Sequence, residues 1–410
     1  MGSFNGSDSI TISLDKFGQA KFLSDCIFHS VREGITSLTV NISESFTGSN
    51  VCAPIAGIID YYRNKGVRIH VEVPQSSYAF HVRIPNPIPA EDIISDYSPF
   101  DKVFSFSSEE GVFNLVNVYL IALRQSDDLE PGVIRSLEWC MNETIDNVLQ
   151  HSMTEKGFVM AQLNKQNKTF NFCVFDAGIG IYNSLRNTKY SPHNPLKAIK
   201  LSMKERITRD ERIGQGNGLW GLSQIIKETN GRLRIGSSGA RYEYENGDIK
   251  EVSSGDFNLG VNNGTTMIDF LIDYSSPIDI AGALNGYEPV DIWAENYENA
   301  AGDIVINVSR DARGTGTRKS AEKLRHMVMN FFKDHYSIVV LDFSEVSMLS
   351  SSFADELIGK LIATIGFSGF IQHIKIVNLN DYNSLIVNRS VGQRMAQIYM
   401  DGNVDETADN

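Results

Sequence analysis

LEWCMNETIDNVLQHS, residues 137–152, places Glu143, Asn147 and His151 at intervals of four. In a helix that spacing puts all three on one face, while Trp139, Ile145, Val148 and Leu149 supply apolar contacts on the other flanks. A carboxylate, an amide and an imidazole in register are either a polar stripe that meets solvent or part of a site. The residues downstream favour the second.

Two glycine-rich segments follow. TFNFCVF, 169–175, reads as a strand and delivers the chain into Asp176-Ala177-Gly178-Ile179-Gly180-Ile181. Asp176 is then at the rim of a sheet, and Gly178 and Gly180 let the backbone turn sharply and approach a ligand. The carboxylate there can accept a hydrogen bond from an exocyclic amine such as that of adenine; an Asx-turn with glycines serving the bend accounts for the same residues. Further on, Gly214, Gly216, Gly218 and Gly221 precede and enter a helix that ends near Thr229. Backbone N–H groups at such a helix start can hold phosphate oxygens. Gly216-x-Gly218-x-x-Gly221 also spells a dinucleotide-binding fingerprint, but KERITRDERIGQ before it is no strand, so that reading lacks its context. No GxxxxGK[ST] occurs, and a P-loop is not supported.

Length and composition set the frame. A chain of 410 residues carries two to four domains, and 42% hydrophobic with 21% charged residues describes an ordinary globular protein. The net charge of −13 disfavours a broad nucleic-acid or anionic-membrane surface. Cys26, Cys52, Cys140 and Cys173 have neither zinc-site spacing nor disulfide density, which fits a reducing cytoplasm. No basic region followed by an apolar core opens the chain. The strongest apolar run, 112–123, is interrupted by Asn114 and Asn117 and falls short of the roughly 18 residues of a membrane span. The expectation is a cytoplasmic protein with no membrane partner.

Organised by these signals, the chain is expected to be α/β throughout. Residues 1–102 read as a small α/β domain, with strands at 37–42 and 67–73 around a helix at 53–64. The loop IPNPIPAED, 84–92, marks its end. Residues 103–274 form the second domain, with a helix at 112–124, the turn SDDLEPG, the opening helix, and strands at 157–164, 169–175, 232–235, 240–244 and 265–272. Residues 275–302 read as a linker. Residues 303–400 repeat strand and helix, with strands at 304–308, 337–343 and 374–379 and helices at 320–332 and 352–365, before an acidic tail, 401–410, expected to be disordered.

Taken in order, four pieces of the second domain resemble the boxes of the GHKL, or Bergerat, ATP-binding fold of gyrase B, Hsp ninety-class chaperones, sensor histidine kinases and MutL. They are Glu143-x-x-x-Asn147 with His151, Asp176-x-Gly178-x-Gly180-Ile181, Gly214-x-Gly216-x-Gly218-Leu219-x-x-Leu222, and Gly264-Thr265-Thr266. The resemblance implies an α/β sandwich, helices on a mixed sheet with ATP between them. By it, Asn147 would coordinate Mg2+, Asp176 would read the adenine amine, and Thr265 would support Asp176 through hydroxyl and water contacts. Gly178, Gly180 and Ile181 would admit the base, while Gly214, Gly216, Gly218 and Leu219 would close over the phosphates. The residues between Ile181 and Gly214 would form a lid, with Lys204, Arg206, Arg209 and Arg212 as cations for the phosphates. Glu143 would polarise a water or a substrate hydroxyl, or only orient the metal's water shell. His151 would touch a phosphate, cap the site or serve structure alone. The autophosphorylation helix pair of a sensor kinase is not apparent ahead of the motif.

VVLDFSEVSMLSSSFADELIGKL, 339–361, sets a strand, a loop and serines ahead of a helix. It resembles the STAS domain of anti-sigma-factor antagonists and its STAS-like relatives. The antagonists' phosphoacceptor matches Ser352, although Ser350 and Phe353 replace the motif's Asp and Gly. RDARGTGTRKSAEKLR, 310–325, also resembles the STAS-like relatives, by which Arg313 and Arg318 would face the serine loop or a partner; a flexible turn at the glycines accounts for the same segment. Residues 38–73 read as a degraded second copy of this unit. Together the resemblances imply a GHKL ATPase domain flanked by STAS-like domains. They imply a Mg-ATP-binding regulator with ATPase or protein-serine kinase activity, acting on a protein partner or by self-association. The alternatives are an ATP-gated interaction module without turnover and an ATP-driven dimerising machine.

Overall fold

The computed structural model describes residues 3–4, 9–13, 18–43, 47–93, 98–205, 218–253, 264–287, 294, 297–333 and 338–404. They fall into two compact units, the first drawn from residues 1–119 and 135–289, the second from 120–134 and 290–410.

In the first unit, alternation of apolar residues builds a small sheet. β2 (Ser9–Ser13), β3 (Ser37–Ser43) and β4 (Arg68–Glu72) run parallel in that order, with β1 (Ser3–Phe4) antiparallel on β2. Ile10 pairs with Val40 and Leu38 with Ile69, so their side chains share one buried face. Parallel neighbours need crossovers. These are α1 (Gln19–Arg32) and α2 (Ser49–Asn64), a helix two turns of which are apolar nearly all round. A helix of that kind must be covered on more than one side, and α2 is. Its residues share one core with Ile10, Val40 and Ile42 and also with Phe158, Met160, Cys173, Phe175 and Met267 of a second, larger sheet.

That second sheet has eight strands in the order β11-β10-β9-β12-β8-β7-β6-β5. They are β5 (Ile88–Pro89), β6 (Val103–Phe106), β7 (Gly157–Asn164), β8 (Thr169–Asp176), β9 (Arg232–Ser237), β10 (Ala240–Glu245), β11 (Asp248–Val252) and β12 (Thr266–Asp273). All neighbours are antiparallel except β5 and β6, so the sheet is mixed. Along β8, Cys173 and Phe175 face α2, whereas Phe170, Phe172 and Val174 alternate to the opposite face. On that face Phe172 lies 5.3 Å from Phe270, and Tyr119 of α4 (Glu109–Ser126) meets the edge of Phe172 at 5.9 Å. The same side carries α5 (Val133–His151) and α8 (Gly218–Glu228). Smaller helices are α3 (Tyr78–His81), α6 (Gly180–Leu185), α7 (Pro195–Ser202) and α9 (Ile280–Ala283), the last lying within the stretch expected as a linker.

The second unit is a parallel sheet, β13 (Ile304–Asn307), β14 (Val339–Asp342) and β15 (Ile374–Val377), in sequential order. α10 (Val308–Ala312) and α11 (Arg318–Lys333) cross from β13 to β14; α12 (Ser351–Ala354), a π-helical turn at Asp355–Gly359 and α13 (Lys360–His373) cross from β14 to β15. The helix expected to stop at 365 does break there, since Gly366 takes a φ of 74°, but helical structure resumes beyond it. α14 (Asp381–Val404) extends into the stretch expected as a disordered tail; 405–410 lie outside the described residues. Leu324, Val328, Phe331, Phe353, Leu357 and Leu361 form its core with the strands. No described helix is long and apolar enough to cross a membrane.

Candidate functional site

A cavity of about 570 Å³ opens in the first unit and is lined by residues of α5, the end of β8, α6, α8, β12 and the segment after α9. Of the residues singled out from sequence, Glu143, Asn147, His151, Asp176, Gly180, Ile181, Gly218 and Leu219 all line it. Gly214, Gly216 and Arg209, with Arg206 and Arg212, lie outside the described residues; Lys204 is exposed.

α5 brings Glu143 and Asn147 together one turn apart, and the Asn147 Nδ2 donates to the Glu143 carbonyl at 2.5 Å. That leaves Oδ1 as the acceptor that the amide can offer a ligand. The backbone at Gly218, where α8 begins, comes so close to the Glu143 carboxylate and to Asn147 that a side chain there would overlap Glu143 Oε2. The end of α5 is tied to the turn after β8, because the Ser152 carbonyl accepts from Ile179 N at 2.8 Å. Gly178 has the Ser152 carbonyl directly against it and has no room for a Cβ. Gly180, with a φ of 72°, starts α6 in a backbone region that L side chains rarely adopt. The next residue, Ile181, donates its N–H to Ser237 Oγ at 2.9 Å.

Asp176 is 3% exposed at the end of β8, and its Oδ1 accepts from Gly178 N at 2.8 Å. Its hydroxyl partner is Thr266, which faces it directly across the β8–β12 ladder. Thr265 is buried, and its carbonyl accepts from Ser237 Oγ at 2.9 Å.

Burial pushes the Asp176 carboxyl up to about 7, against the lowering effect of Gly178 N–H and the Thr266 hydroxyl. Burial, with the nearby charge of Asp146, also pushes Glu143 up to about 7. Asp146 itself is raised by burial and by Glu109. A carboxyl poised near neutrality is suited to taking a proton from a water or hydroxyl. The lining carries Glu143, Asp146, Asp176 and Glu205 and, among the described residues, neither Lys nor Arg. An amide oxygen beside carboxylates is a hard oxygen donor set, the kind that suits Mg2+.

Several lining residues carried no sequence signal. Asp146 sits beside Asn147 off the four-residue period, Trp139 has the sequence pattern of an apolar flank, and Leu284, Asn285 and Tyr287 come from the stretch expected as a linker. His151 is half-buried at the cavity. The four cysteines are buried free thiols.

In the second unit Ser350 caps α12, accepting from Phe353 N at 3.0 Å, and its Oγ lies 3.0 Å from Ser352 Oγ. Thr315, between Arg313 and Arg318, meets this loop: its carbonyl accepts from Ser350 N at 3.0 Å and its hydroxyl donates to the Met348 carbonyl at 2.7 Å. Arg318 turns instead to Asp355 and Glu356, at 3.9 and 4.0 Å.

This unit thus combines sequential parallel strands, helical crossovers and a serine loop ahead of a helix. The family model that matches it, over residues 320–383, is described as a STAS-like domain of unknown function, DUF4325. No curated protein matches the chain significantly.

Proposed function

We propose that the first unit binds Mg-ATP in the manner of the GHKL fold, and that the protein is an ATP-dependent regulator that hydrolyses ATP or phosphorylates serine and acts on a protein partner through STAS-like units. The observation that carries this reading is convergence. Glu143 and Asn147 from α5, Asp176 from the end of β8 and the start of α8 meet in one cavity on the helical side of a mixed sheet. Asp176 accepts the exocyclic amine of adenine. Asn147 Oδ1 would hold Mg2+, which when bound would neutralise phosphate charge. Glu143 takes the proton of the attacking water or hydroxyl. The β2-β3-β4 order, sequential and parallel like β13-β14-β15, supports reading residues 1–102 as a second STAS-like module.

Calorimetry with a non-hydrolysable ATP analogue and Mg2+ tests the site. Asp176→Asn is expected to weaken binding about 10-fold or more, the cost of a lost charge-assisted hydrogen bond; unaltered affinity removes the assignment. Incubation with Mg-ATP then separates the chemistries. A phosphate on the intact protein that disappears in Ser352→Ala assigns kinase activity, and free phosphate without labelling assigns an ATPase. Bound nucleotide with neither product leaves an ATP-gated binding module. Glu143→Gln should lower either product at least about 100-fold while preserving affinity.

A further inference from the structure

Asn330 lies on α11, inside the STAS-like match, and is 2% exposed. Its side chain is spent on the turn between α4 and α5. Oδ1 accepts from Leu129 N at 2.8 Å, and Nδ2 donates to the carbonyls of Arg124 at 3.0 Å and Asp127 at 3.2 Å. One amide thus binds three backbone groups of this turn. Other residues of α11 reinforce the grip. Arg325 approaches Asp128 at 3.7 Å, Lys333 approaches Glu130 at 3.8 Å, and the buried Arg124 guanidinium lies 4.7 Å over the ring of Phe331. The turn held in this way leads straight into α5 at Val133, and α5 is the helix that carries Glu143 and Asn147. A hydrogen-bonded helix moves as a rigid element, so what holds its entry bears on residues further along it.

We propose that Asn330 is a positioning residue for the nucleotide site, holding the α4–α5 turn and through it the helix that presents Glu143 and Asn147, so that the STAS-like unit regulates nucleotide binding. The inference rests on the nucleotide reading of the cavity. Such coupling is reciprocal: nucleotide must alter the hold of α11 on the turn as much as that hold alters nucleotide affinity.

The test uses the full-length chain, with hydrogen exchange measured over 133–147 and 320–333 in the presence and absence of the Mg2+-bound, non-hydrolysable ATP analogue. In the wild type the analogue should slow exchange in 320–333. Asn330→Ala, with helicity retained by circular dichroism, should lose that response and bind the analogue about 5- to 100-fold more weakly, the span of typical coupling energies. Lys333→Ala, which removes one partly exposed ion pair of the same turn, should shift affinity in the same direction by less. A wild type that binds the analogue with no change over 320–333 overturns the coupling alone, as does a folded Asn330→Ala that binds normally. A wild type that binds no analogue overturns the coupling together with the site. Should Asn330→Ala not fold, the wild-type exchange and Lys333→Ala decide the matter.

Discussion

Asp176 and Glu143 are two carboxyls that their surroundings hold near neutrality, and the consequence is a pH dependence of stability. The unfolded Asp176 releases its proton near 3.8, whereas the folded one keeps it up to about 7. Between those values the folded state binds more protons than the unfolded state, so stability falls as pH rises from about 4 to about 7. Glu143 adds a contribution of the same sign, from 4.5 to about 7. Asp176→Asn cannot ionise and should flatten the dependence. Urea denaturation of both proteins at pH 5 and pH 7 measures it, and equal slopes with pH in wild type and variant would refute the buried-carboxyl account. At this scale much was readable. A four-residue period and a strand-terminal aspartate single out residues that do meet in the cavity. That Thr266 also bonds Asp176 was not readable, because it depends on which residue stands opposite Asp176 in the ladder.

At the scale of elements, the chemistry of turns is more local than packing. Ser238-Gly239 and Asn246-Gly247 join β9 to β10 and β10 to β11, each with positive φ at both residues. That is the two-residue hairpin geometry for which Asn-Gly is the strongest sequence sign, so β11 was legible in YENGDIKE even though the coarse strand pattern passes over it. α2 is the opposite case. Its periodicity predicts a helix but not its second neighbour, which is revealed by Gly57. A Cβ at Gly57 would overlap the ring of Phe175 and come within 3.0 Å of Phe158. Gly57→Leu should therefore destabilise the protein by about 1–3 kcal/mol through overpacking, read as a lower urea midpoint. An unchanged midpoint would mean that α2 does not rest on β7 and β8.

For the whole molecule, the prediction concerns which pieces fold alone. Residues 1–102 read from sequence as a domain of their own, yet α2 shares a core with Phe158, Met160, Cys173, Phe175 and Met267 on the large sheet. Removing residues 1–102 uncovers that apolar face, and an exposed patch of this kind favours aggregation. The fragment 103–410 is expected to be insoluble or aggregated by sedimentation velocity. A monomeric fragment with the dispersed NMR spectrum of a folded protein would overturn this. The second unit likewise takes residues 120–134 from the middle of the chain, a membership that sequence order does not display.

The features that follow from the chain alone are local. Periodicity placed most helices and strands, and glycines marked the turns that a side chain would block, because dihedral preferences and alternation act over a few residues. The serine loop ahead of α12 belongs here too, since a cap is a bond between near neighbours. Which distant residues meet is a matter of the folded chain. It set Thr266 beside Asp176, carried Leu284 and Tyr287 to the cavity, and joined Asn330 to a turn some two hundred residues earlier. These pairings follow from how apolar faces pack and which buried polar groups must be satisfied, conditions that no short stretch of chain contains.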